Sequence, residues 1–576
     1  MDRRELLARS AAIAALSISG AGCATAASAT YVKPGDAGWP SESDWASLNT
    51  QTDGALLPGA SPALDSADAK ALIENPIYLG DQPGLTEISG WVDHWQFQPS
   101  AYVMRAKNAA DVAAALRFAR AHNVRVAVKG GGHSYLGGSN APDSLLIWTR
   151  AMDAIEMHDA FVPQGSSAPA VHAVSVGAGC FWGRVYDAVT TNGGRYVQGG
   201  GCTTVGVAGH VQGGGFGSFS KGFGLAAASL LEAEIVTADG QVRIVNEARE
   251  SDLYWALKGG GGGTFGVVTR LTLKTHELPR YFGTAEFSVQ ASSDEALRRV
   301  AAKFIETYAA NLHNEHWGEQ ARLTQHNQLM VRMNFQGIDQ DTARAAFKDF
   351  SDFLAAHPSD YTLTEPTVIL HLPARHMWNR SFFEQFAPSA IIADHRPGAS
   401  ARDYWWKGDG DQASASIAGY TSTWLPASLL EPANQAKLVD AWFNASRHWP
   451  SAFHFNKGLA GASAETIAAS RACAMNPEVL DAFALAIIAS EGPCLYPGLP
   501  APDPAEWRER AAKIGAAMQA LKAFAPNAGC YISECDYVNE NWRRDFWGEH
   551  WQRLDAIKRR YDPDRVFIVH HGVGDA

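Results

Sequence analysis

The stretch from Gly199 to Gly224, GGGCTTVGVAGHVQGGGFGSFSKGFG, constrains what this chain can fold into more than any other feature. Glycine loses more conformational entropy on folding than any other residue, so such crowding requires a structural reason. The usual reason is a close approach of the backbone to something flat, charged or large. One cysteine, Cys202, and one histidine, His210, lie within this segment and are its candidates for chemistry.

Length and charge set broad limits on function. The 576 residues are too many for one ordinary core and predict two domains. Hydrophobic residues make up 46% and charged residues 19% of the chain, which is typical of a globular protein. A net charge of −12 argues against nucleic acid or an acidic membrane as a partner, because both favour a basic excess. The sequence contains neither repeats nor an internal apolar run long enough to span a bilayer.

Residues 1–29 have the layout of a bacterial export signal. The arginine pair Arg3-Arg4 precedes an apolar stretch, and small-residue cleavage sites follow it. The pair favours the twin-arginine route, so we expect a periplasmic or extracellular protein. A short amphipathic helix of the mature protein is the alternative. Cys23 is a candidate for lipid attachment, although the leucine expected three residues upstream is missing.

The seven cysteines are too few for a disulfide scaffold in a chain of this length. In an oxidising compartment Cys473 could pair with Cys494, or Cys530 with Cys535. Spacing alone does not decide whether these thiols pair, so both possibilities stay open.

A second glycine-rich segment, Gly130–Ser139, directly follows a predicted strand over residues 124–129. A strand that opens into glycines exposes successive backbone N–H groups, which can bind a diphosphate. No Gly-Lys-Ser/Thr follows, so the segment is not a Walker loop. A G-x-G-x-x-G match at Gly261, Gly263 and Gly266 precedes its strand instead of following one, which excludes the dinucleotide-binding fingerprint. The pattern predicts a diphosphate cofactor on a fold other than the Rossmann fold.

The remaining sequence predicts an arm, further secondary structure and a packed tail. Residues 30–90 are polar and read as an arm, and an amphipathic helix is predicted over residues 108–123. Residues 275–500 carry longer helical segments, strand-like runs and much of the tryptophan. Aromatic faces suit sugar or ring stacking, although most tryptophans fill cores. We expect the aromatic and charged tail, Gly529–Gly574, to pack back on the first domain.

These segments together resemble the flavoproteins of the vanillyl-alcohol-oxidase superfamily, specifically the berberine-bridge-enzyme-like group. The resemblance covers residues 90–275 and 505–574 closely and the middle of the chain loosely. VKGGGHSYLGGS is similar to the group's diphosphate loop, whose histidine bonds to the 8α-methyl of FAD, and that position is His133. The first segment is similar to the one whose cysteine bonds to flavin C6, and that position is Cys202. The resemblance therefore implies FAD held by two covalent bonds.

The chemistry of both bonds requires these residue types. Flavin C6 and the 8α carbon are electrophilic, so a thiolate and an unprotonated imidazole are suitable nucleophiles. The glycines allow backbone to lie against the isoalloxazine ring. Besides His133 and Cys202, the resemblance predicts FAD contacts from Gly130, Gly131, Gly132, Ser134, Gly137, Gly138, Gly201, Val205, Gly206, Gly209, His210, Gly213, Gly214, Gly215, Gly217 and Val267.

Three further positions carry specific implications of the resemblance. His210 is placed near the N1/C2=O end of the flavin, where a positive or donating group stabilises the reduced anion. Val205 occupies the gate to flavin C4a, and a valine there admits O2, which favours an oxidase over a dehydrogenase. Ala228 stands where many relatives carry aspartate, which removes one polar cofactor contact.

The tail supplies the predicted catalytic base. YISECD resembles the family's Tyr-x-Asn-x-x-Asp element, which places Tyr531 over flavin N5, with Ser533 replacing the asparagine. A phenol has a free pKa of about 10, so it needs nearby charge to act as a base at neutral pH. Lys457, in FHFNKGLAG, is the candidate for lowering that pKa. The pair His570-His571 has no third ligand at suitable spacing, so we predict no metal site.

We therefore predict an α+β protein with a PCMH-type FAD-binding domain of two subdomains and an antiparallel-sheet substrate domain backed by helices. The FAD-binding domain spans 90–275, the substrate domain spans 276–499, and residues 500–576 complete the FAD-binding domain. The oligomeric state stays open.

The predicted function is that of an FAD-dependent oxidase with bicovalent flavin. Tyr531 takes the proton of a substrate C–OH, the carbon gives hydride to N5, and O2 becomes H2O2. The expected partners are O2 and a small-molecule alcohol or sugar hemiacetal. One alternative is a tailoring oxidase that forms rings or double bonds in a secondary metabolite. Another is an exported flavin-binding or electron-carrier protein without its own substrate, and no motif over 320–460 names a ligand.

Overall fold

The computed structural model describes residues 31–61, 63–64, 66–499 and 503–575. The predicted export signal and Cys23 lie outside these residues. Residues Val32–Asp575 form one compact unit. Over the described ranges, none of the helices combines the length and apolar character that crossing a membrane requires.

The elements follow one another along the chain as strands and helices of very different length. The β-strands are β1 (Leu56–Pro58), β2 (Gly90–Trp91), β3 (Trp95–Gln96), β4 (Tyr102–Arg105), β5 (Arg125–Lys129), β6 (Ser144–Trp148), β7 (Ile155–Phe161), β8 (Val171–Gly177), β9 (Arg195–Tyr196), β10 (Leu230–Val236), β11 (Val242–Asn246), β12 (Val267–Lys274), β13 (His276–Glu277), β14 (Tyr281–Ala291), β15 (Trp317–Leu323), β16 (Gln328–Gln336), β17 (Tyr361–Pro373), β18 (Ile391–Ala393), β19 (Tyr404–Trp406), β20 (Ser416–Pro426), β21 (Ser451–His454) and β22 (Ala482–Gly492). The α-helices are α1 (Glu42–Gln51), α2 (Ala67–Leu72), α3 (Pro76–Asp81), α4 (Ala109–Ala121), α5 (Trp182–Tyr186), α6 (Val207–Gln212), α7 (Ser220–Phe223), α8 (Ser251–Ala256), α9 (Asp294–Thr307), α10 (Gln340–Ala346), α11 (Lys348–Ala356), α12 (Arg380–Phe386), α13 (Pro432–His448), α14 (Ala464–Arg471), α15 (Pro504–Lys522), α16 (Trp542–Trp547) and α17 (Trp551–Tyr561).

A four-stranded sheet in the order β1-β4-β6-β5 forms the first layer. Strand β6 lies between β4 and β5 and pairs with both in parallel. Helix α4 is the helix predicted over 108–123, and it begins where the Asn108 side chain accepts hydrogen bonds from two backbone N–H groups. Its apolar face, formed by Val112, Leu116 and Ala119, is buried. The strand that feeds the second glycine-rich segment is β5, as predicted.

A five-stranded antiparallel sheet in the order β11-β10-β12-β8-β7 forms the second layer. Together these two sheets are the two subdomains of the predicted PCMH-type fold. The tail helix α17 contacts α8, which lies between strands β11 and β12 of this sheet, as expected for a tail that packs back on the first domain.

The largest sheet has nine strands in the order β17-β14-β16-β15-β21-β22-β20-β2-β3. Its pairs are antiparallel except β2 with β20. Helices α9, α13 and α15 pack on one another and on this sheet, and their apolar faces form one core with it. This confirms the predicted antiparallel sheet backed by helices.

The prediction of an arm over residues 30–90 is wrong. Helix α1 packs on α4, and strand β1 pairs antiparallel with β4. Trp45 and Leu48 join the core around α4, but such sparse apolar residues leave no periodic pattern to detect.

The sheets also connect the predicted domains. Strands β2 and β3 extend the large sheet, although they come from the start of the predicted FAD-binding domain. Helix α15 packs on β20 and β22, although it comes from the predicted C-terminal part. The boundaries at 90, 275 and 500 therefore stay predictions. The four cysteines considered for pairing, Cys473, Cys494, Cys530 and Cys535, are free thiols.

Candidate functional site

A cavity of about 1290 Å³ lies where the two glycine-rich segments, the nine-stranded sheet and the tail meet. Ligand pockets are typically about 300–1,000 Å³, so this cavity has room for a large cofactor and a substrate. The predicted site residues that line it are Gly130, Gly131, Gly132, His133, Ser134, Gly138, Gly201, Cys202, Val205, Gly206, Gly209, His210, Gly213, Lys457 and Tyr531.

The two glycine-rich segments pack backbone against backbone. A Cβ atom on Gly131 would lie 2.8 Å from the Gly206 nitrogen, and one on Gly206 would lie 2.7 Å from the Gly131 nitrogen. Only glycine permits this approach, because real Cβ contacts essentially never fall below 3.0 Å. The packing brings His133 and Cys202 to one cavity, although they are distant in sequence.

The His133 imidazole is neutral at physiological pH. Burial lowers its pKa to about 4. Its Nε2 lies 3.2 Å from Thr204 Oγ1 and 3.7 Å from Glu87 Oε2. An unprotonated ring is the form that a nucleophilic histidine requires.

The raised pKa of the Cys202 thiol favours its protonated form at neutral pH. Burial raises its pKa well above the ordinary value, and the neighbouring Asp409 carboxyl raises it further. Burial also raises the pKa of Asp409 to about 6. Attack by this sulfur therefore requires a group to take its proton.

His210 lies on α6 and lines the cavity. Its Nε2 donates to the Phe216 carbonyl oxygen over 3.0 Å, since a carbonyl can only accept. Burial lowers its pKa to about 4, so the ring is neutral and Nδ1 carries no proton. The N–H group that the resemblance assigns to the flavin is thus used within the glycine-rich segment.

Tyr531 is 4% exposed and meets the Phe216 ring edge-on at 5.0 Å between centroids. Burial raises the pKa of this phenol, and the charge of Glu534 raises it further, while a hydrogen bond with Ser533 opposes both effects. Lys457 Nζ lies 2.5 Å from Glu534 Oε1 and 2.6 Å from Oε2. The prediction that Lys457 lowers the Tyr531 pKa is therefore wrong for this structure, because Glu534 neutralises the lysine.

Five of the predicted cofactor contacts lie outside the cavity lining. Val267 points from β12 into the core around α4, and its neighbours Gly266 and Val268 line the cavity. A register error of one residue on a strand moves a side chain to the opposite face. The other predicted residues away from the cavity lining are glycines that make room for nearby protein atoms: Gly137 for Trp95, Gly214 for Met475, Gly215 for His210 and Gly217 for the Gly199 carbonyl.

Several functional candidates had no signal in the sequence. Gln320 and Asn456 line the cavity and hold buried side-chain oxygens without hydrogen-bond partners among the described residues. The carboxyl groups of Glu319, Asp409 and Glu534 lie in the same lining. Asn456 and Glu534 adjoin residues of the motifs discussed above, but nothing local identifies them as facing a ligand. Tertiary packing alone brings them to the site.

The glycines at 261–263 also line the cavity, although their motif is not a dinucleotide fingerprint. His570 and His571 stack at 3.9 Å between centroids, and the His570 Nε2 donates to the Tyr537 carbonyl oxygen. Among the residues with described positions, no group of three or more potential ligands could hold a metal ion.

The site residues fit FAD. Glycine backbone forms much of one wall, where a side chain would block a flat ring. A neutral imidazole and a thiol share this wall, and they are the two nucleophiles that flavin C8α and C6 require.

Comparison with known proteins agrees with this fit. Residues 99–246 match the FAD binding domain family, and residues 521–574 match the berberine and berberine-like family. A VAO-type flavoprotein oxidase of Thermothelomyces thermophilus is 30% identical over 94% of this chain and 92% of its own. An FAD-linked oxidoreductase of Gibberella zeae is 26% identical over 94% of this chain and 92% of its own.

Solved structures show the same fold. The crystal structure of a VAO-type flavoprotein from Myceliophthora thermophila superposes with a TM-score of 0.76 at 26% identity, covering 94% of this chain and 97% of the other. Glucooligosaccharide oxidase from Acremonium strictum has a TM-score of 0.65 at 19% identity, covering 92% and 99%, and is described with a 6-S-cysteinyl, 8α-N1-histidyl FAD. The cavity, the two nucleophiles and these relatives together place the chain in the VAO-type, berberine-bridge-enzyme-like family, and it is an FAD-linked oxidoreductase.

Proposed function

We propose that this protein is an FAD-dependent oxidase whose flavin is bound covalently to His133 and Cys202, and which oxidises an alcohol or sugar hemiacetal while reducing O2 to H2O2. The observation that carries the proposal is the backbone contact of Gly131 with Gly206, which puts both nucleophiles at one cavity. The same two residue types carry the flavin in the Acremonium strictum oxidase.

Bound FAD would accept a hydride from the substrate carbon and pass the electrons to O2. The backbone N–H groups of Gly130–Gly132 would hold its diphosphate. Val205, half-buried in the cavity lining, leaves more space than a leucine would and so favours access of O2.

The polar lining supports a substrate rich in hydroxyl groups. Gln320 Oε1 and Asn456 Oδ1 are buried acceptors without partners among the described residues. Leaving such an acceptor unsatisfied costs about 1–3 kcal/mol, so a ligand that donates hydrogen bonds would be favoured. Trp378, Trp406 and Tyr420 add aromatic faces to the same lining, and sugar rings stack on such faces.

Tyr531 is the proposed acceptor of the substrate hydroxyl proton. Because burial raises its pKa, the phenol keeps its own proton at neutral pH. It must therefore release this proton to another group as it takes the proton of the substrate hydroxyl. Glu534 acts on Tyr531 electrostatically and is held by Lys457, so we assign proton relay to this pair.

Peptide mass analysis of the denatured protein tests the cofactor assignment. The peptides that contain His133 and Cys202 should stay linked through one flavin, and no free FAD should be released. Free FAD, or unmodified peptides at both positions, would refute the proposal. Cys202→Ala should retain flavin on His133 alone, which distinguishes two bonds from one.

Peroxide release on a panel of carbohydrates and aromatic alcohols tests the reaction. We expect H2O2 in proportion to oxidised carbohydrate or alcohol. Oxidation of a phenolic metabolite with loss of hydrogen, and none of carbohydrates, would instead favour a tailoring oxidase. The export signal is a separate proposal, which rests on Arg3-Arg4; replacing both arginines with lysine should retain the protein in the cytoplasm.

A further inference from the structure

Glu87 is a buried acid beside the proposed histidine tether. The residue is only 2% exposed, and its carboxylate accepts no hydrogen bond from the residues that the structure describes. Within the same residues, the His133 imidazole is the one basic side chain with a nitrogen within 4.0 Å of this carboxylate. Burying a carboxyl group without hydrogen bonds is costly, so its position calls for a functional explanation.

The backbone holds Glu87 in place from both sides. Its own N–H donates to the carbonyl oxygen of Gly132 over 3.0 Å, next to His133. The preceding Thr86 N–H donates to the Tyr496 hydroxyl over 3.0 Å, and the Ser89 N–H donates to the Ala415 carbonyl over 2.8 Å. The segment is therefore tied both to the histidine loop and to the region around the nine-stranded sheet.

The side-chain oxygens of Glu87 and Thr204 lie near the same ring nitrogen of His133. Thr204 Oγ1 lies 3.2 Å and Glu87 Oε2 lies 3.7 Å from Nε2. A neutral imidazole has one N–H and one lone pair. When the Glu87 carboxyl group is ionised it can only accept, so the proton is favoured on Nε2 and the lone pair is left on Nδ1.

We propose that Glu87 is a positioning residue that fixes the His133 tautomer and takes its Nε2 proton when Nδ1 bonds to the flavin. This inference rests on the proposed function, in which His133 carries FAD. The inference goes beyond the proposed function because it names the group that makes the histidine a nucleophile.

The step balances as follows. A bond forms between His133 Nδ1 and the 8α carbon, and one C–H bond of the 8α-methyl group breaks. The imidazole would become positively charged, so its Nε2 proton moves to the Glu87 carboxylate, and the carbon-bound hydrogen leaves as a second proton. The electron pair of the broken C–H bond remains on the isoalloxazine until O2 takes it, with two protons, and leaves as H2O2.

Charges around the pair agree with this direction of proton transfer. Burial and the nearby Asp409 raise the pKa of Glu87 to about 8, although Lys129 opposes them. Burial lowers the pKa of His133 to about 4. A proton shared by the two groups therefore resides on the carboxyl group and not on the ring. Glu87 can take the Nε2 proton only when its carboxyl group is ionised, and the ionised fraction grows as the pH rises toward about 8.

The test compares variants of the full-length protein as purified. Glu87→Gln keeps the shape of the side chain but cannot accept the proton. We expect the fraction of His133 peptide that carries flavin to fall at least tenfold, while the Cys202 peptide stays modified. Glu87→Asp keeps the carboxylate and should restore a measurable part of the modification, which a purely structural role would not predict.

Controls separate the possible failures. Glu232, 4% exposed and hydrogen-bonded to Asn246, is a buried acid outside the cavity lining, and Glu232→Gln should leave the His133 modification unchanged. Wild-type modification at His133 in Glu87→Gln would overturn the inference, and equal loss from both peptides would overturn it too. If Glu87→Gln does not fold, Glu87→Asp decides, since its His133 modification must fall below that of wild type. Absence of flavin on His133 in the wild type would refute the proposed function itself.

Discussion

The contact between the two glycine-rich segments can be tested with Gly131→Ala. The new Cβ would lie 2.8 Å from the Gly206 nitrogen, 3.1 Å from Phe181 Cε1 and 3.2 Å from Gly206 Cα. Ordinary contacts begin at 3.4 Å, and the atoms at fault are mostly backbone, which cannot rotate away. The segments must therefore separate by roughly half an ångström, and overpacking of this kind costs about 1–3 kcal/mol.

The expected result has two parts. The unfolding free energy should fall by about 1–3 kcal/mol. The flavin-modified fraction of the His133 and Cys202 peptides should also fall, because reacting groups need placement to within about 0.5 Å. Denaturant unfolding measures the first effect and peptide mass analysis the second.

A matched control uses the same substitution elsewhere. A Cβ on Gly515, within α15, would meet nothing within 4 Å. Gly515→Ala should stabilise the helix by about 0.5–1 kcal/mol and leave flavin attachment unchanged. If Gly131→Ala were as stable as wild type and fully modified at both peptides, the reasoning that glycine is required for this contact would be refuted.

Three further predictions concern catalysis and pH. Tyr531→Phe should lower kcat by about 10²–10⁴-fold with flavin attachment retained, and an unchanged kcat would remove Tyr531 from proton transfer. Lys457→Met leaves the Glu534 carboxylate without its partner and should lower both peroxide production and the unfolding free energy, the latter by about 1–3 kcal/mol. Lys348→Met breaks an exposed pair with Asp352 and should leave stability nearly unchanged; equal effects of the two variants would contradict a special role for Lys457. Because burial raises the folded-state pKa of Glu87 from 4.5 to about 8, its stabilising contribution is complete below pH 4.5 and is lost as the pH rises through about 8. The unfolding free energy of Glu87→Gln should thus rise relative to that of wild type between pH 5 and pH 9. The titrations of Lys129 and Asp409 occur in both proteins and largely cancel in this comparison. A difference in unfolding free energy that stays constant across this range would show that Glu87 does not titrate as stated.

Local sequence determined the elements around the site. Glycine crowding, the apolar period of α4 and the β-branched run of β5 are short-range signals, so they predicted the loops, the helix and the strand. The residue types of His133 and Cys202 pointed to flavin chemistry because few side chains are suitable nucleophiles. These inferences need only neighbours in the chain.

Only the tertiary structure decided which distant groups surround those residues. Glu87 lies near His133, Asp409 near Cys202, and Glu534 binds Lys457 across 77 positions of sequence. Such pairings depend on sheet order and on backbone contacts between loops, and they leave no periodic pattern. The pKa shifts have the same origin, because burial and neighbouring charge are properties of packing and not of residue type. The sequence therefore determined which nucleophiles are present, and the fold decided their protonation and their proton acceptors.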